Sequence, residues 1–347
     1  MTIANRHQLF AEIAPGFRHY PEGSFEFVHG TASSLDPTAK TVTISTGTDS
    51  KTITYDILVL TTGTRTNGEV PWKSSLNGYE HTRDGLHKIQ GRVRDARSIV
   101  VGGAGPTGVE TAAELAFEYG KTKEITLVTA GKELLADCMP TNIAQGAENT
   151  IKKMNVNVVK GVKILSSTPA ADGQTRLALD NGEKMLVDLY LPTVGVILNT
   201  EYVPKGLLDA KGQVVVNEYL QVKDAQDIWA AGDLTNLDFA QIIYAGKQAT
   251  AVAKNLDLVL KGKEPVAYKT GGDRIMGLSL GRSKATGRSG TMKIPSIVMW
   301  WFSTFTRRTS PLSFLPIYQF EQRANKSTEG RTLGTENLPK VVNGSAF

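Results

Sequence analysis

The alternation of apolar and polar positions is clearest between Arg97 and Thr129. Ile99-Val100-Val101 is a short β-branched run of the kind that forms a buried strand, and Pro106 through Tyr119 has helical spacing. Ile125-Thr-Leu-Val-Thr129 follows as a second strand. Upstream, Pro15-Gly16 and Pro21-Glu-Gly23 mark turns, and Phe25-Glu-Phe-Val28 is predicted as a strand. Val42-Thr-Ile44 and Thr52-Ile-Thr54 are predicted to pair as a β-meander across Gly47. Asp56-Ile-Leu-Val-Leu60 is apolar enough for a parallel strand covered on both faces, and it runs into Thr61-Thr62-Gly63. Residues 64–96 are polar and irregular, with room for a short helix. Downstream, 141–154 has helical spacing, Val156–Val159 forms a strand, and alternating runs continue through Leu177-Ala-Leu179 and Leu186–Leu191. Pro192-Thr-Val-Gly195 closes this unit. Val214–Val216, a strand at Ile228-Trp-Ala-Ala-Gly-Asp233 and a long helix over 240–260 complete the regular pattern. No apolar run reaches the 18 residues of a membrane span. Residues 321–347, rich in Ser, Thr, Gly and Asn, are predicted to be a loosely ordered tail.

Between the first strand and its helix lies Gly103-x-Gly105-x-x-Gly108. The first glycine makes a tight turn, the second lets backbone approach a pyrophosphate, and the third lets helix and strand pack closely. The helix N-terminus adds unpaired N–H groups and a positive dipole end. A lone motif of this kind is weak, but strand, helix and second strand supply the context it requires. The plainer alternative is a glycine turn in some other α/β protein.

Composition narrows the field little. A chain of 347 residues has length for two or three cores. Its 40% hydrophobic and 21% charged residues are ordinary for a globular protein. A net charge of +5 favours anionic partners without choosing among them. The single cysteine, Cys138, excludes a disulfide framework and a Cys-x-x-Cys redox pair, and the five histidines show no metal-ligand spacing. The N-terminus has neither a signal-peptide apolar core nor an Arg-rich, acid-free transit pattern, so a cytoplasmic location is expected.

Three separated motifs fall in one order: Tyr55-Asp-Ile-Leu-Val-Leu-Thr-Thr-Gly63, Val101-Gly-Gly-Ala-Gly-Pro-Thr-Gly-Val-Glu110 and Ile228-Trp-Ala-Ala-Gly-Asp233. The ordered set resembles the pyridine nucleotide-disulfide oxidoreductase superfamily of two-dinucleotide flavoproteins. Within it the chain is most similar to apoptosis-inducing-factor-like NAD(P)H oxidoreductases, over roughly residues 10 to 305. Pro192–Gly195 with Asn199-Thr200 resembles that family's crossover, with Leu198 where a proline is usual. The resemblance implies an α/β fold in which a Rossmann-like NAD(P)H domain (97–192) is inserted in an FAD domain (1–96 and 193–260). A small C-terminal region (261–320) and the tail would follow. It also implies the site residues. Gly103, Gly105, Thr107 and Gly108 would meet NAD(P)H, and Glu110 would approach the nicotinamide amide unless it is only a solvent-facing first-turn glutamate. Thr62 and Gly63 would lie under FAD unless they are only a strand-end turn, Gly195 and Gly232 would lie near it, and Asp233 would accept from the ribityl chain unless it is only a helix N-cap. No carboxylate ends the second strand at Thr129-Ala-Gly-Lys132, which tilts coenzyme choice slightly to NADPH, with Lys132 meeting a 2′-phosphate or simply solvated.

The chain departs from the family in one large respect. Members begin with a βαβ unit whose own GxGxxG holds the ADP half of FAD, and this sequence contains none. Without two strands the family sheet has a gap of about 10 Å, which predicts an exposed strand edge and substoichiometric FAD. The C-terminal region adds a further signal. Arg274, Arg282, Lys284, Arg288, Lys293, Arg307 and Arg308 occur with no acidic residue, around Ile294-Pro-Ser-Ile-Val-Met-Trp300-Trp301-Phe302. Such a segment suits the headgroup zone of an anionic membrane, mitochondrial or other, or else a buried helix at a domain or homodimer interface. No nucleic-acid recognition module is visible. Two function classes follow. One is a flavin-dependent NAD(P)H oxidoreductase passing electrons to a quinone-like acceptor, with no side chain needed as acid, base or nucleophile. The other is a non-catalytic NAD(P)-binding, membrane-associated scaffold. A flavin-free single-Rossmann dehydrogenase would need a Tyr-x-x-x-Lys pair and is set aside.

Overall fold

The computed structural model describes residues 13–66, 70, 72–73, 78–170, 172–270, 275–298 and 341–342. The chain opens with β1 (Phe25–Glu26), β2 (Thr31–Asp36), β3 (Thr41–Thr46), β4 (Asp49–Thr54), β5 (Leu58–Leu60), β6 (Thr64–Thr66) and α1 (Tyr79–Asp95). The glycine-turn unit follows: β7 (Ser98–Gly102), α2 (Pro106–Tyr119), β8 (Glu124–Thr129), α3 (Thr141–Lys152) and β9 (Val156–Lys160). Next come β10 (Ile164–Pro169), β11 (Thr175–Leu179), β12 (Lys184–Val187), β13 (Leu189–Pro192), β14 (Val196–Leu198), β15 (Ile228–Ala230) and α4 (Ile242–Leu260). The last strands are β16 (Ile275–Leu280), β17 (Lys284–Ser289), β18 (Met292–Lys293) and β19 (Val341–Val342).

The centre is a four-stranded parallel sheet in the order β13-β7-β8-β9. Both faces are covered, which is why its strands are apolar at consecutive positions. Ile99, Val101, Ile125 and Leu127 face a core with Val109, Ala112, Ala113 and Ala116 of α2 and Ile143, Ala147 and Ile151 of α3. Val100 and Val128, on the opposite face, pack with Leu177 and Val187 of the antiparallel sheet β10-β11-β12. A second core gathers Leu60, Ile228, Trp229, Ala230 and Val252 where β5 and β15 run parallel, Leu58 beside Ile228. The predicted meander forms, with Val42 opposite Ile53, Thr43 opposite Thr52 and Gly47 at φ +80° in its tight loop. β2 adds a third strand to it that the pattern does not predict.

Several elements differ from expectation. The strand at Phe25 is two residues long and pairs with β19, which lies within the predicted tail. The helix before residue 97 is not short: α1 has 17 residues but buries only Ile89, so its sequence is nearly all polar. Leu186–Leu191 breaks into two strands at Asp188, whose carboxylate accepts from the backbone N–H groups of Arg97 and Ser98 at 2.8 and 2.9 Å. Val214 and Val216 form isolated bridges and no strand. The predicted bare edge beside β15 is partly occupied: Val222 N–H donates to Ile228 O and Ala230 N–H to Leu220 O. The two tryptophans, Arg274, Arg307 and Arg308 lie outside the described residues. Among the described residues no helix is long and apolar enough to cross a membrane, and no cluster of metal-ligating side chains occurs.

Candidate functional site

β7 delivers Gly103 at the carboxyl end of the parallel sheet, between β8 and β13, where the strand order reverses. Ligands of open α/β sheets bind at such a point. Gly103 has φ +110°, a conformation that disfavours any side chain, and its N–H donates to Val128 O at 2.8 Å. A Cβ on Gly108 would lie 1.8 Å from Gly103 O, so helix and turn touch directly. Gly105 is different: a Cβ there would meet nothing within 4 Å. It is the N-cap of α2, without a side-chain cap, and Pro106 begins the helix. Its open side gives onto a cleft of about 470 Å³ lined by Gly102–Pro106, Val128–Gly131, Glu133, Asp137, Cys138, Thr193, Val194 and Gly195. The helix end and the open glycine thus face space large enough for part of a dinucleotide, backed by amides and a dipole suited to an anion.

The other NAD(P)H residues are placed unevenly. Thr107 is exposed in the first turn of α2 and is not on the cleft wall. Glu110 is not solvent-facing: its carboxylate accepts from Ser279 N–H at 2.8 Å, tying α2 to β16. Lys132 is exposed and off the cleft wall, whereas its neighbour Glu133 lines it and accepts from the Thr141 hydroxyl at 3.1 Å. Cys138 also lines the cleft; burial pushes its thiol up, so it is held protonated, with Arg288 acting in the opposite sense. Thr193, which sequence reasoning did not single out, is central. Its hydroxyl lies 2.9 Å from Gly102 O and 3.1 Å from Gly103 O.

Thr62, Gly63, Gly232 and Asp233 come together elsewhere and do not line this cleft. β6 pairs antiparallel with β14, Thr64 opposite Leu198. Beside it, Asn199 N–H donates to Gly63 O, its side-chain amide donates to Thr62 O, and the Thr62 hydroxyl donates to Asn199 O. Gly232 turns at φ +91°, and its N–H donates to the Gln248 side chain at 2.7 Å. Asp233 accepts from the Thr64 hydroxyl at 3.2 Å and from Lys73 Nζ at 2.9 Å. It is not a helix cap, because α4 starts at Ile242 with Gln241 as its N-cap. Gln248 and Asn255 stand among the buried residues of α4 with Tyr244 and Val252; polar residues on a buried helical stripe are the sequence signal for this network.

Two Tyr-x-x-x-Lys pairs do occur, contrary to the reading that sets such an enzyme aside: Tyr119 with Lys123, and Tyr219 with Lys223, neither residue of which lines the cleft at the glycine turn. Tyr119 and Lys123 stand at the far end of α2, where Lys123 Nζ donates to Arg94 O and Ala96 O. They are remote along the helix from the glycine turn.

Comparison with known proteins follows the same lines. The profile of the pyridine nucleotide-disulphide oxidoreductase family matches residues 5–249. Oxidoreductase ptaL of Pestalotiopsis fici is 39% identical over 340 residues, covering 97% of this chain and 83% of that protein. Apoptosis-inducing factor homolog B of Dictyostelium discoideum is 26% identical over 282 residues, 74% of this chain and 71% of its own. Among solved structures, the water-forming NADH oxidase of Lactobacillus brevis bound to NADH has a TM-score of 0.61 at 23% identity. That match covers 74% of this chain and 57% of the oxidase, and it shows the shared fold alone. The chain belongs to the pyridine nucleotide-disulphide oxidoreductase family.

Proposed function

We propose that this chain is an NAD(P)H-dependent oxidoreductase whose dinucleotide pyrophosphate lies against Gly103 and Gly105 at the N-terminus of α2. The observation that carries this reading is the contrast between two glycines: Gly105 opens onto the cleft, while Gly108 has no room for a Cβ. In this reading 97–192 is the nucleotide unit between the two segments of the other domain, and Gly195 and Val194 close the cleft from the crossover. The bound coenzyme supplies hydride; the chain binds and orients it. Glu133 on the cleft wall suits a free ribose 2′-hydroxyl, and Lys163 on the same wall suits a 2′-phosphate, so the cleft takes NADH or NADPH. A quinone-like acceptor accords with the resemblance to apoptosis-inducing-factor-like proteins, and Val194, 59% exposed, gives the cleft an apolar approach. Titration of the purified protein with NADH and NADPH tests the reading. Binding of either coenzyme that Gly105→Val abolishes without unfolding supports it, and unchanged binding by Gly105→Val overturns it.

FAD is implied by the family, but the residues present do not complete a site for it. Asp233 is held by Lys73 and Thr64, the Gly232 amide by Gln248, and the sequence contains no second GxGxxG for the ADP half. These contacts favour a second reading, a non-catalytic NAD(P)-binding protein. Visible absorption separates the two. Bound oxidised flavin is yellow, and a colourless protein that binds NADH yet passes no electrons to a quinone is the scaffold. Peripheral binding to an anionic membrane accords with Met292 and Ile297, 73% and 74% exposed beside Lys293.

A further inference from the structure

A second cleft, of about 380 Å³, lies between α3 and the β17–β18 hairpin. Among the described residues it shares no lining residue with the dinucleotide cleft. Gly146 and Thr150 form its floor on α3; Lys284, Thr286, Lys293 and Ser296 line the opposite side. A Cβ built on Gly146 would stand 3.8 Å from Lys293 Nζ, so the absence of a side chain there lets the ammonium approach the helix. Among the described residues no carboxylate lines the cleft. The buried acid of α3, Glu148, is already engaged by Lys152 and Lys160 at 2.6 and 3.0 Å. Among the described residues neither Lys284 nor Lys293 has an ion-pair partner.

One observation points to a missing ligand. Thr286 is 4% exposed, lines this cleft, and its hydroxyl has no hydrogen-bond partner among the described residues. A buried hydroxyl without a partner is costly and uncommon, and one at the wall of a cationic cleft is most simply a donor awaiting an acceptor. We propose that this cleft is an anion site that takes a phosphate group, with Lys284 and Lys293 supplying charge and Thr286 a buried hydroxyl donor. The chemistry is that of a phosphomonoester, with several oxygens to accept from two ammonium groups and a hydroxyl. It is shared by a soluble phosphorylated molecule and by a lipid headgroup. The exposed Ile297 on the rim fits either source.

The test uses the full chain and inorganic phosphate, with binding read by calorimetry. The double variant Lys284→Gln, Lys293→Gln should bind phosphate about a hundredfold more weakly, since each of the two lost charged contacts is worth about a decade. Its NADH affinity and melting temperature should not change, because both lysines are exposed and remote from the other cleft. Thr286→Val should raise the melting temperature in the absence of phosphate and weaken phosphate binding several-fold; an unchanged affinity overturns the proposal, which rests on that hydroxyl. Phosphatidylcholine vesicles with and without phosphatidic acid distinguish the sources. Retention on phosphatidate vesicles that the double variant loses assigns the site to a headgroup. Phosphate binding that the double variant loses, without vesicle retention, assigns it to a soluble ligand. Equal phosphate affinity in wild type and double variant, or no saturable binding by the wild type, overturns the proposal, while NADH binding in the same samples reports separately on the other cleft.

Discussion

Replacing Gly105 and Gly108 one at a time by alanine separates coenzyme binding from folding. Gly105 has φ −70° and ψ −176°, which alanine adopts without strain, and its Cβ would meet nothing within 4 Å. Glycine is preferred to alanine at an N-cap, but alanine also lowers the entropy of the unfolded chain by about 0.4–1 kcal/mol. The net stability change should therefore stay within about 1 kcal/mol. Binding should respond far more. The new methyl occupies the space over the helix N-terminus and displaces the pyrophosphate from two charge-assisted hydrogen bonds, each worth about 1.5–3 kcal/mol. A loss of at least about 3 kcal/mol is a factor of about one hundred in Kd. Gly108→Ala places its Cβ 1.8 Å from Gly103 O, where real contacts do not fall below 3.0 Å. The turn must then move, at a cost of about 3 kcal/mol or more. Urea denaturation and NADH titration by fluorescence, run on both variants, read the two effects. If Gly105→Ala binds NADH as tightly as the wild type, the pyrophosphate does not lie on this turn and the assignment fails.

Other outcomes follow from single side chains. Hydrogen bonds from Gln174 and from the Ser98 and Arg97 amides hold the Asp188 carboxyl at about 2, below its ordinary 3.8. A lowered acid contributes stability that is present above pH ~4 and is lost as pH falls towards 2; screened by solvent, it is worth about 1–2 kcal/mol. Asp188→Asn should flatten that part of the acid-unfolding curve, and an unchanged curve would discount the contact. Gln248→Leu strips the Gly232 amide of its partner and should cost about 2–3 kcal/mol in urea unfolding, against less than about 0.5 if water takes over freely. Lys73→Met releases Asp233 and should raise the yellow absorbance retained after incubation with FAD. No gain there would place the obstacle elsewhere than at this ion pair.

The parallel core was legible because its residues say the same thing at every level: β-branched strands, a glycine turn, an alanine-rich helix. α2 begins and ends where the periodicity puts it, Pro106 to Tyr119. α1 was underestimated because only Ile89 is buried along 17 residues; its helicity owes little to an apolar stripe. The break at Asp188 was missed because alternation reads straight through one aspartate, and only the folded sheet brings the Arg97 and Ser98 amides to it. The candidate cleft was legible at the glycines that line it. Side chains were less so: Glu133, Lys73 and Gln248 act through partners between 8 and 160 residues away, and nothing local marks them.

The short crossover from β13 to β14 joins the glycine-turn cleft to the Asp233 cluster by one chain of contacts. Thr193 holds the Gly102 and Gly103 carbonyls, and three residues later begins β14, bonded to β6, whose Thr64 reaches Asp233. A dinucleotide that fixes the Gly103 turn also fixes Thr193, and with it one end of that chain of contacts. By reciprocity, whatever orders the Asp233 end must raise affinity at the glycines by the same factor. Slower amide exchange at Thr64–Thr66 on saturation with NADH would measure that linkage without any second ligand being present.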